Sequence, residues 1–251
     1  MQKYYITPQG EYSRLYADML KQVHLLVGGA AGSGKSTVVN GLVYTALYDS
    51  PATKRFIFID PKGTELDIYS NLPHCLYYAQ TLPDCIKALE YTMQVTKARF
   101  SEMKRKRQRM YNGSDIYLII DELMYLTNQA QIKRQAMQLL QDILVIARAA
   151  RVHVIACTQN CTTQTIPATL RCNFDSRVGL RTTTAQDSRN VLGLKGCEKF
   201  PNPTLAHMAY GYYMHGGELE LYQIPFTQEA EINRLIDYWT QNKKPKIKFF
   251  R

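Results

Sequence analysis

The feature that most constrains the fold of this 251-residue chain is one glycine-rich octapeptide. Gly29-Ala30-Ala31-Gly32-Ser33-Gly34-Lys35-Ser36 matches the pattern GxxxxGK[ST] at every fixed position. An apolar run at 23–27 precedes it and predicts a buried strand, and the segment 37–48 can form a helix. Such a strand–loop–helix unit wraps backbone N–H groups around phosphates at the positive end of a helix dipole. The octapeptide therefore predicts a nucleoside triphosphate site within an α/β fold.

The residue types in the octapeptide assign roles within that site. We expect Lys35 to reach the β- and γ-phosphates and Ser36 to offer its hydroxyl to Mg²⁺. ATP and Mg²⁺ are the predicted cofactors, and Thr37 is included among the nucleotide-binding residues. The alternative, a glycine-rich turn without a ligand, is disfavoured because the flanking strand and helix agree with the motif.

A second element predicts hydrolysis rather than binding alone. The apolar segment 117–120 is followed by Asp121 and Glu122. Ligands of open α/β sheets bind at the carboxyl ends of strands, where Asp121 could hold Mg²⁺ and Glu122 could activate a water. Gln159, at the end of another apolar segment, is a candidate sensor of the γ-phosphate; the alternative is a glutamine that caps the next turn.

Short apolar runs alternating with helical periodicity predict a doubly wound α/β fold, with a mostly parallel sheet flanked by helices. The predicted strands are Val23–Val27, Phe56–Asp60, Tyr117–Asp121, Val152–Thr158 and Arg177–Leu180, with an added strand at Glu218–Ile224. The predicted helices include Leu82–Met110, Ile132–Ala150 and Gln228–Gln241. With no internal repeat or low-complexity linker, a single domain is expected.

The net charge of +10 is concentrated in two short stretches. Lys97–Arg109 carries seven basic residues and one acidic residue, and Lys243–Arg251 carries five basic residues and no acid. This distribution predicts an anionic polymer or surface as partner, although a solvated helix face and a tail explain each stretch equally well.

No apolar run is long enough for a membrane span and no signal peptide is recognisable, so a cytoplasmic location is expected. Six cysteines without a CxxC pair favour buried thiols over zinc ligands.

Several motifs in the same order resemble the FtsK/SpoIIIE DNA translocase motors of the HerA–FtsK branch of P-loop ATPases. The lead-in His24–Val27 is similar to the HLLV of that family, and Asp60–Leu66 to its DPK…EL segment. Asp121-Glu122-Leu123 resembles its Walker B motif. Ala147-Arg148-Ala149-Ala150 with Val152-His153-Val154 looks like RAAGIHL, Thr158-Gln159 like ATQ, and Asp187-Ser188-Arg189 like DSR.

The resemblance implies an ATPase that assembles as a hexameric ring of RecA-like domains and moves double-stranded DNA through its pore. It implies that Arg148 acts on the nucleotide of the neighbouring subunit, a role that suits a guanidinium able to fork onto phosphate oxygens. It also places Arg171 and Arg189, and more weakly Arg177, on loops that face DNA. The implied organisation is one motor domain at 1–242 and a basic tail at 243–251, without a transmembrane region or a winged-helix module.

The chain departs from the family pattern at several positions. Asn160-Cys161 stands where the family has Arg-Pro, Ala185 replaces a lysine, and Arg151 replaces the glycine of RAAG. A motor of this short form is typical of mobile elements, by analogy. The leading hypothesis is a DNA translocase in transfer, partition or packaging. The alternatives are a small-molecule phosphotransferase and a coupling or docking ATPase whose main partners are proteins such as a relaxase or a membrane channel.

Overall fold

The computed structural model describes residues 12–203, 209–224 and 226–242, and eight strands within them form one sheet. The strand order across the sheet is β3-β2-β4-β5-β1-β6-β7-β8. The first six strands in the chain run parallel, whereas β7 and β8 are antiparallel additions beside β6. The strands are β1 His24–Gly28, β2 Lys54–Ile59, β3 Cys75–Ala79, β4 Asp115–Ile120, β5 Val152–Thr158, β6 Ser176–Leu180, β7 Ala209–His215 and β8 Glu218–Ile224.

Helices cover both faces of the sheet, as the predicted fold class requires. They are α1 Tyr12–Lys21, α2 Lys35–Asp49, α3 Leu82–Lys106, α4 Met124–Thr127, α5 Lys133–Ile146, α6 Ala168–Arg171, α7 Ala185–Leu192 and α8 Glu229–Gln241. Alternate residues of β1 point into different cores: Leu26 packs with residues of α3 and α5, and Val27 packs with residues of α1, α2 and α8. Burial on both faces explains why the central strands are continuous apolar runs. The predicted mostly parallel α/β fold is confirmed.

Two strands were not predicted from the sequence. The edge strand β3 is only five residues long and is half-buried at its centre, and β7 contains a glycine, three tyrosines and a histidine among its seven positions. The other predicted strands lie within two residues of the observed ones, and the added strand β8 has the predicted bounds. The sequence misses β3 and β7 because neither has the aliphatic continuity of a central strand.

The long basic helix ends earlier than predicted. Arg107 adopts a left-handed backbone with φ 53°, and its amide donates to the carbonyl of Lys104, so α3 stops at Lys106 rather than at Met110. Residues 104–109 are exposed, whereas Arg99 is buried and donates to the carbonyl oxygen of Ala150 at 2.7 Å. Burial lowers the pKa of Arg99 to about 10. Part of the predicted basic stretch is therefore internal structure.

Other sequence expectations have different outcomes. Five of the six cysteines are buried and Cys172 is exposed, and all six are free thiols. The tail at 243–251 lies outside the described residues. Within the three described ranges, no helix combines the length and the apolar character that a bilayer crossing demands.

The amino-terminal edge of the sheet is held by a buried carboxylate. Asp115, the first residue of β4, accepts from Lys54 at 2.7 Å, from both Nε and Nη2 of Arg151 at 2.6 and 2.9 Å, and lies 3.3 Å from Nε2 of His153. Arg151 has φ 55°, which explains why the family prefers glycine there. In this chain, the ion pair with Asp115 offsets the strain of a left-handed arginine.

Candidate nucleotide-binding site

The glycine-rich loop joins the carboxyl end of β1 to the amino terminus of α2. The amide of Gly29 donates to the carbonyl of Thr158 at 3.2 Å, and the amide of Ala30 donates to that of Arg181 at 2.8 Å. The loop is thereby anchored to the ends of both strands that flank β1. At its end, Gly34 has φ 102°, and a Cβ added there would lie 3.0 Å from Cβ of Ala209. Only glycine meets both the conformation and the close approach of β7.

The loop presents a set of unpaired donors. The backbone amides of Gly32, Gly34, Lys35 and Ser36 make no hydrogen bond within the part of the chain that the structure describes. The hydroxyl of Ser33 is buried and likewise has no partner there. Buried polar groups are usually hydrogen-bonded, so such a cluster at a helix amino terminus fits an anionic ligand with several acceptor oxygens. The residues present therefore fit the phosphates of ATP.

Lys35 supplies a cation at the centre of this loop. Its Nζ donates to the carbonyl oxygens of Gly29 and Ala30, both at 2.9 Å, which holds the side chain back across the loop. Burial lowers its pKa, because removal from water disfavours the charged form. Ser36 and Thr37 follow in the first turn of α2 and are partly buried. The three predicted binding side chains are therefore on one continuous element.

Asp121 lies at the same edge of the sheet, directly after β4. Its amide donates to the carbonyl of Ile59, and its side chain is 8% exposed. Burial, together with the nearby charges of Asp60 and Glu65, raises its pKa to about 6. A divalent cation would relieve this crowding of carboxylates. Asp121 and Ser36 could therefore hold Mg²⁺ with the phosphates of the nucleotide.

Glu122 is held by strand β5, a link that the sequence does not indicate. Its Oε1 accepts from the hydroxyl of Thr158 at 2.6 Å, and its Oε2 accepts from the amide of Gln159 at 3.0 Å. A longer bond of 3.3 Å joins Oε1 to the amide of Met124, and the residue is only 1% exposed. The carboxylate that could activate a water is thus fixed in place by the tip of β5. In the sequence, the residue that could have indicated this link is Thr158, directly before Gln159, because its hydroxyl can donate to a carboxylate.

Asp60 follows a strand at the same edge of the sheet as Asp121, but its carboxylate binds backbone amides of its own loop. It follows β2 and is fully buried, with Oδ1 accepting from the amide of Gly63 at 3.0 Å. Its Oδ2 accepts from the amides of Glu65 and Leu66 at 3.0 and 2.9 Å. These bonds build the turn that follows β2. The DPK…EL resemblance therefore marks a loop formed around one aspartate.

Gln159 and Arg148 lie at opposite ends of β5. Gln159 is at the nucleotide edge, where its backbone is bound to Glu122. Arg148 is exposed in the turn before β5, and its guanidinium has no partner among the described side chains. Seven strand residues at about 3.3 Å each separate the two ends by about 20 Å. Arg148 therefore cannot reach the glycine-rich loop of its own chain.

The three arginines predicted to face DNA cluster near α6 and α7. Arg171 donates to the carbonyl oxygens of Arg189 and Asn190 at 3.4 and 3.1 Å. Arg177 donates to the carbonyls of Phe174 and Arg171 at 3.3 and 3.1 Å, and burial lowers its pKa. Arg189 makes one bond of 3.4 Å to Gln186. Arg177 is thus used within the fold, whereas Arg189 is the most available of the three.

The chain is similar to proteins of one family along most of its length. The model of the FtsK/SpoIIIE family matches residues 6–198. The DNA translocase FtsK of Caldanaerobacter subterraneus subsp. tengcongensis is 34% identical over 200 residues, which are 73% of this chain and 27% of that protein. The one from Agrobacterium fabrum is 29% identical over 91% of this chain and 30% of its own length. The chain therefore spans about a third of the length of these relatives.

A solved structure agrees with the fold. The pCW3 conjugation coupling protein TcpA, in a monomer form with ATPγS, superposes with a TM-score of 0.74 over 88% of this chain and 66% of its own. Its sequence identity is 16%, so the likeness concerns the fold alone. The glycine-rich loop, Asp121 and Glu122 thus lie on a fold that this coupling protein shares.

Proposed function

Because the chain belongs to the FtsK/SpoIIIE family and is a P-loop ATPase, we propose that it uses ATP hydrolysis to move double-stranded DNA. The observation that carries the proposal is the fixed position of Glu122, whose two oxygens are bound by β5 beside the loop that offers unpaired amides. Two translocases with 29% and 34% identity support DNA as the substrate. The whole motor cycle is inferred from this site and from those relatives.

Each residue of the site has a distinct part in the proposed hydrolysis. The loop amides and Lys35 bind the β- and γ-phosphates, and Lys35 releases the carbonyls of Gly29 and Ala30 as it does so. Bound Mg²⁺ would neutralise charge on the phosphate oxygens, with Ser36 and Asp121 as its protein contacts. Glu122 orients a water and accepts its proton, and Gln159 lies beside it as the sensor of the γ-phosphate.

A second copy of the chain would complete the site. Arg148 is exposed in the turn before β5, at the end of that strand away from the loop of its own subunit, and this position supports a role at the site of a neighbour. Where an arginine finger has been measured, it contributes on the order of 10³–10⁵ in rate. We propose a ring, in the family's hexameric form, in which Arg148 of one subunit reaches the nucleotide of the next.

Exposed cations supply the proposed contacts with DNA. Arg189 is partly exposed, and residues 104–109 at the end of α3 are all exposed and carry five basic side chains. Contacts of this kind bind phosphates without reading sequence. Since Asn160-Cys161 and Ala185 stand where the family carries cations, grip at the pore would depend more on Arg171 and Arg189. A role in the transfer or partition of a mobile element is part of this proposal.

The test is ATP turnover with and without duplex DNA across a range of salt concentrations. We expect DNA to stimulate turnover and the stimulation to fall steeply with salt, because phosphate contacts release counterions. Turnover that is indifferent to duplex DNA at low salt would contradict translocation. Deleting residues 243–251 separates the alternative, a docking ATPase with protein partners: unchanged DNA stimulation with lost capture of a relaxase or channel protein would favour docking.

Mixing subunits tests the shared site. Two variants are expected to be inactive when each is alone: Arg148→Ala lacks the finger but keeps its own loop, and Lys35→Ala lacks the loop cation but keeps the finger. When the two are mixed, part of the activity should return, because an Arg148→Ala subunit can receive Arg148 from a neighbouring Lys35→Ala subunit. Arg134→Ala, an exposed arginine on α5, is the matched control and should be active alone. A mixture that stays inactive would contradict the shared site. Size measurement with ATP and duplex DNA tests the ring itself.

A further inference from the structure

The hairpin of β7 and β8 carries a cluster of potential metal ligands away from the nucleotide site. Its turn is Gly216-Gly217, with φ 55° and 85°, a two-residue connection that fixes the register of the strands. His215 pairs with Glu218, and Tyr213 pairs with Glu220. Directly opposed residues and their second neighbours share a face of a sheet. His215, Glu218 and Glu220 therefore project from the same face.

The three side chains converge without satisfying one another. One ligand atom from each lies within 4.8 Å of the other two. None of the three side chains makes a hydrogen bond or ion pair with another residue in the described ranges. The imidazole of His215 stacks on the buried ring of Tyr213, with centroids 4.5 Å apart, which limits its rotation. Two carboxylates brought together beside an imidazole, with no cation paired to them, form an environment that favours a positive ion.

The donor set selects the class of ion. We propose that His215, Glu218 and Glu220 bind a divalent transition metal of the zinc type. An imidazole nitrogen with carboxylate oxygens suits Zn²⁺ at bond lengths of about 2.0–2.2 Å, with water as a fourth ligand. Mg²⁺ requires oxygen ligands and near-octahedral geometry, so this site is distinct from that of the nucleotide. The rigid paired strands leave only small side-chain rotations for the ligands to close on the ion.

The consequence of binding would be a cross-link between β7 and β8 near the turn. β7 runs from Ala209, which approaches Gly34 of the nucleotide loop, to His215 at the opposite edge of the sheet. Zinc would therefore stabilise the antiparallel addition from the end remote from the nucleotide. Zinc binding by this hairpin would require neither ATP nor DNA.

The experiment is zinc titration of the chelator-treated full chain in excess Mg²⁺, followed by calorimetry and by thermal unfolding. A Cys172→Ser background removes the exposed thiol, which is a competing zinc ligand. We expect one zinc per chain and a rise in Tm of roughly 5–10 °C at a hundredfold excess over Kd. X-ray absorption of the loaded chain should show nitrogen and oxygen neighbours with an imidazole.

The variants decide the assignment. His215→Ala should lower zinc affinity by at least about 100-fold, the upper end of the loss seen when only an outer-shell partner is removed. Glu218→Gln/Glu220→Gln is a second variant that serves if His215→Ala fails to fold, and Glu229→Gln on α8 is the matched carboxylate control. Wild-type zinc binding in both ligand variants, or no saturable binding by the wild type, would overturn the proposal.

Discussion

The two edges of the central sheet differ in whether their polar and charged groups have partners within the fold. At the carboxyl edge, the amides of Gly32, Gly34, Lys35 and Ser36 have no partner among the described residues, and burial holds the pKa of Asp121 near 6. At the amino edge, Asp115 is bound by three cationic or potentially cationic side chains. Although burial raises the pKa of Asp115, hydrogen bonds from His153, Arg151 and Lys54 outweigh it and hold the pKa well below its usual range.

The comparison indicates which edge is built for stability and which for chemistry. Buried polar groups that have hydrogen-bond partners within the fold lower its free energy. Buried polar groups without partners destabilise the fold until a ligand binds them. Substitutions at the carboxyl edge should therefore affect turnover more than folding, and those at the amino edge should do the reverse. Four measurements test that division.

Lys35→Ala should have the largest effect. It removes the cation for the phosphates, so we expect turnover to fall on the order of 10³-fold, at the upper end of losses seen for a single charge-stabilising donor. Stability should change little or rise, since burial opposes the charge of Lys35. ATP turnover and thermal melts measure both. Lys87→Ala, an exposed lysine on α3, should leave both at wild-type values.

Glu122→Gln should follow, with a fall in hydrolysis of about 10²-fold or more through loss of the base, while ATP stays bound. The amide nitrogen of glutamine cannot accept from the backbone of Gln159, so a modest loss of stability accompanies it. Nucleotide binding and single-turnover hydrolysis distinguish the two effects. Hydrolysis at the wild-type rate would move the base to another residue and remove the main support for the proposed mechanism.

Asp115→Asn tests the amino edge. We expect a loss of about 3 kcal/mol in the free energy of unfolding, because three donors lose the charge they share, with turnover per folded molecule unchanged. The contribution of Asp115 is present above its ordinary pKa of 3.8 and is lost as the pH falls from there towards its depressed folded value. In urea unfolding, the variant and the wild type should therefore differ by a constant amount between pH 7 and pH 5, and the difference should begin to narrow only as the pH falls below about 4.

His24 should give the smallest effect. Its Nδ1 accepts from the amide of Val154 and its Nε2 lies 3.0 Å from the carbonyl of Leu144, so the neutral ring donates from Nε2. Burial lowers its pKa from 6.5 to about 4. The unfolded chain therefore binds a proton first, and stability should fall by about 1–2 kcal/mol between pH 7 and pH 5. In His24→Asn that part of the pH dependence should disappear; a persisting slope would assign it to other groups.

The sequence predicts the carboxyl edge better than the amino edge. The octapeptide and the pair Asp121-Glu122 are local patterns whose chemistry depends on a few adjacent residues, so they are recognisable without the fold. The bonds from Thr158 and Gln159 to Glu122 join residues 36 and 37 positions apart, and the group around Asp115 joins three separate segments. Pairings of this kind depend on strand register, which periodicity does not supply.

The strands that were not predicted also show that contacts between distant residues cannot be read from local patterns. The alternation in Glu218–Ile224 predicts β8, but the partner strand β7 is not recognisable, so the approach of His215 to Glu218 and Glu220 could not be predicted. The position of Arg148 was implied only by resemblance to a family. Its separation from the loop of its own subunit depends on the parallel pairing of β5 with β1, which puts the loop and Arg148 at opposite edges of the sheet.

In the proposed ring, strand β5 connects the catalytic carboxylate with the arginine that serves the next subunit. At its carboxyl end, Thr158 and Gln159 hydrogen-bond to Glu122, and its amino end begins just after Arg148. A displacement of Glu122 as the γ-phosphate leaves would push along seven paired residues towards the arginine that serves the next subunit. The timing of successive hydrolysis events would then depend on the stiffness of one buried strand and of the short turn that joins it to Arg148.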